Sequence, residues 1–320
     1  NDAGVSGGGL YCGALSATEV RDCEISANAA VSGGGASLDD SNSAFVACLF
    51  EANLAASGGA VHVSGGAAQL VQCRFRGNGA TSAGGALTAA NDASAIVNCW
   101  FTGNDAATGG AVELTASNAW LAFSSLIGND ATIAWGIHVD GGAPQLVSAL
   151  LWANTDAGAS PEDAQLTVVA GSPSLSYTCI EGWSGALGGL GNHGNDPQLA
   201  RPAGVDGLFG TEDDDPRVSP TSGAVDAGDG LALPMDALDI DGDLNMLELL
   251  PIDLAGNART IEDPATPDTG TGPSPVVDIG AFEFETDCNA NSVLDSLDLA
   301  NSTSADCNAW TSCVQGAGAA

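Results

Sequence analysis

The stretches FEANLAASGGAV (50–61), FRGNGATSAGGAL (75–87) and FTGNDAATGGAV (101–112) repeat one pattern. Each closes an apolar, strand-like run on an asparagine and then reaches Gly-Gly and an aliphatic residue. Working outward, Asn28, Asn53, Asn78, Asn104, Asn129 and Asn154 recur every 25 or 26 residues. Set on that asparagine, the other columns fall into register. Five positions before it stand Cys23, Cys48, Cys73, Cys99, Ser124 and Ala149, and three before it Ile25, Phe50, Phe75, Phe101, Leu126 and Leu151. Val46, Val71, Val97, Ala122 and Val147 lie seven before, with Arg21 breaking that column. Alternating apolar residues make a strand with one buried face, so these columns are read as pointing inward. A second strand is expected eight residues after the asparagine, opened by Ala36, Val61, Ala86, Val112 and Ile137, with room for a third.

A period in this range is that of a solenoid. Asn tolerates the left-handed backbone region, in-register amides can bond along a stack, and Gly-Gly turns a corner without a Cβ penalty. The first 190 residues hold no clean 3.6-residue apolar period, and 44 glycines weaken any helix. The fold class expected is all-β, a parallel β-helix with an irregular, acidic C-terminal cap and tail. At roughly 4.8 Å per rung, about seven rungs make a rod some 35 Å long. The domains are then 1–190 for the coil, 191–285 for an Asp/Gly/Pro-rich cap and 286–320 for a Cys-containing tail.

Motifs FEAN, FRGN and FTGN followed by GGAV, GGAL and GGAV over roughly residues 1–155 resemble the repeat of polymorphic outer-membrane proteins, a family of right-handed β-helical surface adhesins. The resemblance implies that fold and a surface role; nothing here is similar to that family's membrane β-barrel. SPTSGAVDAGD (219–229), DLAGNAR (253–259) and VVDIGAFEFE (276–285) resemble the closing segment of secreted bacterial β-helix proteins, which implies a cap. Capping is also required physically, because a bare last rung leaves unpaired backbone groups.

Forty acidic residues face six arginines and no lysine, for a net charge of −34, with 13 of the acids in residues 1–160 and 27 in 161–320. Nucleic acid and anionic membranes are poor partners for such a surface. No apolar run reaches the roughly 18 residues of a membrane span. With neither an initiating Met nor a signal peptide, the chain reads as a mature secreted or trimmed form, extracellular or at a cell surface. The ladder cysteines read as small hydrophobes. In the polar tail, an oxidising compartment favours a bridge such as Cys288 to Cys307, which leaves Cys313 free or bonded to a neighbouring molecule.

Calcium is the cofactor expected, in a structural role. Asp239, Asp241, Asp243 and Asn245 alternate around Gly242, so one loop can turn several oxygens onto one cation. Asp206 and residues 212–215 form a looser group. Asp287, Asn289, Asn291, Asp295 and Asp298, with the Val293 carbonyl, resemble a dockerin or thrombospondin type 3 calcium loop, though Ser292 stands for its usual Gly and Asp298 for its usual Glu. A solvated Asp-Gly turn is the ordinary alternative for either loop.

Outward positions of the early rungs carry Glu24, Ser26, Glu51, Arg74 and Arg76, whereas later rungs carry Trp100, Ile127, Leu150 and Trp152. An apolar stripe of this kind is normally covered. Residues 200–320 folding back, a second subunit, or sugar rings stacked on the tryptophans would each do so. Asn1 occupies the ladder position of a rung whose strand is missing, an edge open to head-to-tail pairing with another copy.

Catalysis is not expected. A lyase needs a base, yet there is no lysine, and Arg74 and Arg76 lie beside Glu51 in a neighbouring rung. Hydrolysis needs carboxylates roughly 5–10 Å apart, for which Asp39, Asp40, Asp92 and Asp140 are candidates by position only. His62 and His138 read as isolated surface histidines, and the DTG at Asp268 has no second copy. The function expected is a non-catalytic structural or adhesive surface protein that self-associates into filaments or layers, with a cell-surface glycan or protein as a further partner. The alternative is a carbohydrate-binding or polysaccharide-cleaving β-helix.

Overall fold

The structure is a computed structural model that describes residues 1–154, 161–263 and 265–285. The Asp287 loop and the Cys288–Cys307 pair lie outside the described residues.

One rung shows how the period becomes a coil. Ala44–Val46 forms the first face, Leu49–Glu51 the second, Leu54–Ser57 the third and Val61–Ser64 the fourth. Each strand pairs in parallel with its equivalents one rung away, as Phe75 does with Phe50 and Phe101. The first, second and fourth faces are sheets of seven strands and the third of four. The chain is therefore a parallel β-solenoid of about seven turns, with four short faces instead of the two or three expected.

Left-handed corner residues explain the extra faces. Ala47, Gln72, Asn98, Phe123 and Ser148 all have φ near +50°, as do Ala27, Ala52 and Ala153 directly before their ladder asparagines. The ladder asparagines themselves are not left-handed, which corrects the sequence reading. Because a corner interrupts the alternation, the inward residues of the first face are Phe45, Leu70, Ile96, Leu121 and Leu146. The column of Val71, Val97, Ala122 and Val147 is buried on the opposite side, against Leu233, Leu250 and Val277. On the fourth face the inward residue of the third rung is Leu87 and not Ala86, since the extra residue of that rung shifts the register between Ala80 and Ala83.

Stacked identical side chains fill the interior. Phe50 and Phe75 lie 5.1 Å apart and Phe75 and Phe101 4.4 Å apart, their rings stacked nearly parallel. Cys48, Cys73 and Cys99 are buried free thiols, each near the carbonyl two residues earlier, as expected of small hydrophobes, whereas Cys23, just before the first strand of its face (Glu24–Ser26), is exposed. The two glycines of each corner do different jobs. Gly58 has φ +62°, while a Cβ on Gly59 would stand 2.1 Å from the Gly85 carbonyl oxygen, so the second glycine is needed for close approach of rungs.

The asparagines form one continuous amide ladder. In each rung the backbone N–H and Nδ2 donate to the Oδ1 of the next asparagine, at 3.0 Å from Asn53 to Asn78 and again from Asn78 to Asn104. Asn1 joins it, donating to Asn28 Oδ1 at 3.1 Å. At the other end Asn154 Nδ2 donates to Gln165 Oε1 at 2.6 Å, and Gln165 Nε2 returns a bond to the Asn154 carbonyl. Gln165, at the end of the short helix Pro161–Gln165, thus stands in for the next asparagine. One irregular turn follows, Leu166–Ala170, Ser174–Ser176 and Cys179–Ile180, and bridges to Leu190 and His193 finish the coil.

Candidate functional site: the acidic cap

Residues 199–284 return along the outside of the coil and cover two faces. Ile127, Leu150 and Cys179 pack against Val218, Ala224, Val225, Ala227 and Ile279, with Trp152 partly buried at the margin. Trp100 packs on Leu254, Ala281 and Phe282, with the Phe282 ring edge-on at 6.0 Å. The apolar stripe is therefore covered by the chain's own cap, and Trp100, Ile127 and Leu150 are not free for a second subunit or a sugar. The outward valine column was the missed half of this contact.

Opposite charges hold the cap where backbone ladders end. Arg259 is fully buried; its Nη2 donates to the carbonyls of Gly280 at 2.7 Å and Asp278 at 3.2 Å, and its Nη1 lies 2.9 Å from Glu283 Oε1. Its guanidinium also sits 4.9 Å over the Phe123 ring. Asp253 accepts from the backbone of Ala255, Asn257 and Glu283, and Asp278 from that of Asp226 and Phe284. The three cap motifs are thus one buried network, with a single arginine facing three carboxylates. Burial pushes the Asp278 carboxyl up to about 7 and the Glu283 carboxyl well above its ordinary range.

Of the acidic groups singled out for calcium, Asp239, Asp241 and Asp243 converge, each offering an oxygen within 4.8 Å of the others. The loop is exposed and knotted by its own turns, with Asp239 Oδ1 accepting from Leu244 N–H and Asp243 Oδ1 from Asn245 N–H. Asp241 also converges with Asp236 and Glu248, which the sequence reading did not single out. The group at 206–215 does not converge. Asp214 accepts from Thr102 and from Gly210 N–H, Asp215 pairs with Arg217 at 2.8 Å, and Asp213 accepts from Thr211. Of these, Asp214 docks the loop against the second face through Thr102.

A further convergence joins Asp226, Glu262 and Asp268 within the same 4.8 Å. Asp226 is fully buried, and both of its carboxylate oxygens lack a hydrogen-bond donor. Burial, and then the charges of Glu262 and Asp268, push its carboxyl up to about 7.

The outward row of the fourth face aligns Ser37, His62, Thr88, Glu113 and His138. His138 Nδ1 lies 2.9 Å from Glu113 Oε1, so it is paired and not isolated, and His62 is half-buried. Asp39 and Asp140 share the neighbouring row but stand four rungs apart, about 19 Å at the usual strand spacing. That is too far for a hydrolytic pair. Asp92 is buried and accepts from Ser94 N–H. Arg76 pairs with Glu51 at 2.7 Å as read from the sequence, and Arg74 donates to the Leu254 carbonyl, tying the cap to the coil.

The Glu113 hydrogen bond raises the pKa of His138. A raised histidine adds stability fully present below its unfolded value of about 6.5 and lost as pH climbs through the folded value. Denaturant titrations across that window should show wild type losing on the order of 1 kcal/mol relative to Glu113→Gln. Parallel pH profiles for the two proteins would refute this.

No family model matches the chain, and neither the curated proteins nor the solved structures compared with it give a match. Among the described residues no helix is long and apolar enough to cross a membrane.

Proposed function

We propose that the chain is a non-catalytic structural or adhesive protein of an extracellular surface, a stiff acidic rod whose cap is held with calcium. The observation that carries this reading is the unbroken amide ladder from Asn1 to Gln165, enclosed by stacked side chains and sealed along two faces by the cap. Such a molecule devotes its buried polar groups to rigidity along one axis. The FxxN and GGA repeats, similar to those of polymorphic outer-membrane adhesins, support a surface role. The dockerin-like pattern from Asp287 to Asp298 and the convergent Asp239 loop support calcium. A net charge of −34 supports a medium in which cations screen self-repulsion.

Self-association, if the rod serves in filaments or layers, would use its ends or its fourth face, because the second-face stripe is occupied. Electron microscopy of dilute protein with calcium and then with chelator tests this: calcium-dependent ordered arrays are expected, and single rods in both conditions would overturn the assembling role. A glycan-binding role is the second reading, favoured by the fourth-face row of Tyr11, His62 and His138 flanked by Asp39 and Asp140. Retention on a glycan array that Tyr11→Ala abolishes would establish it over the structural one.

A further inference from the structure

Asp226 is served unevenly by its surroundings. Its N–H donates to Asp278 Oδ1 at 2.8 Å, and its carbonyl accepts from Thr269 and Gly270 N–H at 2.9 and 3.0 Å. Its carboxylate, equally buried, receives no hydrogen bond; the Asp263 amide faces it from outside hydrogen-bond geometry. Leaving a buried charge without a partner is among the costliest arrangements a fold can carry. Five of the six arginines are engaged elsewhere, Arg21 with Glu19, Arg76 with Glu51, Arg217 with Asp215, Arg259 with Glu283 and Arg74 with Leu254, and the sixth, Arg201, is exposed on the strand paired with Asp215–Val218. What faces the Asp226 carboxylate is more negative charge, from Glu262, Asp268 and Asp263.

We propose that Asp226, Glu262 and Asp268 bind one divalent cation, calcium by ligand chemistry, which fastens Glu262 and Asp268 onto the buried segment 224–228. Two oxygens on one calcium, each at about 2.3–2.6 Å, stand no more than about 5 Å apart, and oxygens of these three residues lie within 4.8 Å of one another. All three are hard oxygen donors, and Ser274 Oγ donates to Glu262 Oε2 at 2.7 Å, orienting that carboxylate. A mixed set of one buried and two more accessible carboxylates leaves sides for water and carbonyls, which suits the irregular shell of calcium better than the octahedron of magnesium. The site adjoins the packing of Val225 and Ala227 on Ile127 and Leu150, so the ion would secure the cap where it seals the coil. This inference does not rest on the surface role proposed above and is separate from the Asp239 loop.

The competing account is a proton shared among the three carboxylates. Calorimetric titration of chelator-stripped full-length protein with calcium chloride, in excess magnesium, separates the two. Wild type is expected to take up one more equivalent than Asp226→Asn, and Asp22→Asn, at an exposed corner of the coil outside any acidic convergence, is expected to match wild type. Asp268→Asn, at an exposed position, should still fold and should weaken this equivalent at least tenfold. The thermal stabilisation of the cap by calcium should vanish in Asp226→Asn although its calcium-free form melts no lower than wild type. Equal uptake and affinity in wild type, Asp226→Asn and Asp268→Asn would overturn the site, as would an Asp226→Asn gain in stability with no calcium uptake by wild type. Should Asp226→Asn fail to fold, Asp268→Asn and Glu262→Gln decide by the same titration.

Discussion

Asn104→Ala is expected to destabilise the coil by about 3–5 kcal/mol, well above the common cost of a point mutation. Asn104 Oδ1 accepts both the N–H and the Nδ2 of Asn78 at 3.0 Å, and its own Nδ2 donates to Asn129 Oδ1 at 2.8 Å and to the Phe75 carbonyl at 3.0 Å. Truncation orphans two donors on Asn78, which is itself buried. Each such group costs roughly 1–3 kcal/mol when water cannot reach it. Asn104→Asp should be no better, because a carboxylate cannot donate to the two acceptors that remain. Asn1→Ala, at an exposed end of the same ladder, should cost little. Chemical denaturation of the three variants tests this, and similar costs at Asn1 and Asn104 would show that the amides cap strands singly instead of acting as a buried stack.

The legible part of the molecule was whatever the 25-residue period touches. Asn, Cys and Phe columns declare themselves because each repeats at one position, and stacking turns repetition into contact. Left-handed residues are harder to read when Ala, Gln, Phe and Ser fill the corner as they do at Ala47, Gln72, Phe123 and Ser148. The valine column was accordingly assigned to the wrong side, although it was rightly judged buried. Gln165 was invisible for a related reason. It ends the ladder 11 residues after Asn154 through a longer amide, so no spacing rule finds it. Trp100, Ile127 and Leu150 did signal that something covers them, and the cap motifs were visible as words. Their partnership was not, since Asp226 meets Glu262 and Asp268, and Arg259 meets Glu283, only after the chain has folded back. Asp239, Asp241 and Asp243 were found because their oxygens come from one local loop.

Arg259→Ala is expected to release the cap while leaving the coil folded, at a cost of about 3–5 kcal/mol to the cap's own unfolding step. The side chain is a fully buried cation facing Asp253, Asp278 and Glu283, which are all buried, and it also binds two carbonyls of 278–280, where no strand supplies a donor. Removing it strips the buried carboxylates of their nearest cation, and it empties the space over Phe123. Glu283→Gln should be milder, because burial already biases that carboxyl toward its neutral form. Arg259→Lys should fall between them, keeping the charge but losing the fork that puts Nη2 on the Asp278 and Gly280 carbonyls and Nη1 on Glu283. The Asn104 ladder lies inside the coil, so its amide protons should remain protected from exchange in Arg259→Ala while those of 224–230 and 276–284 lose protection. Uncovering Ile127, Leu150 and Trp100 should then raise binding of a hydrophobic dye and promote association along the second face. If coil and cap instead lose protection together, the cap is an integral part of the coil's cooperative unit and not a seal laid upon it.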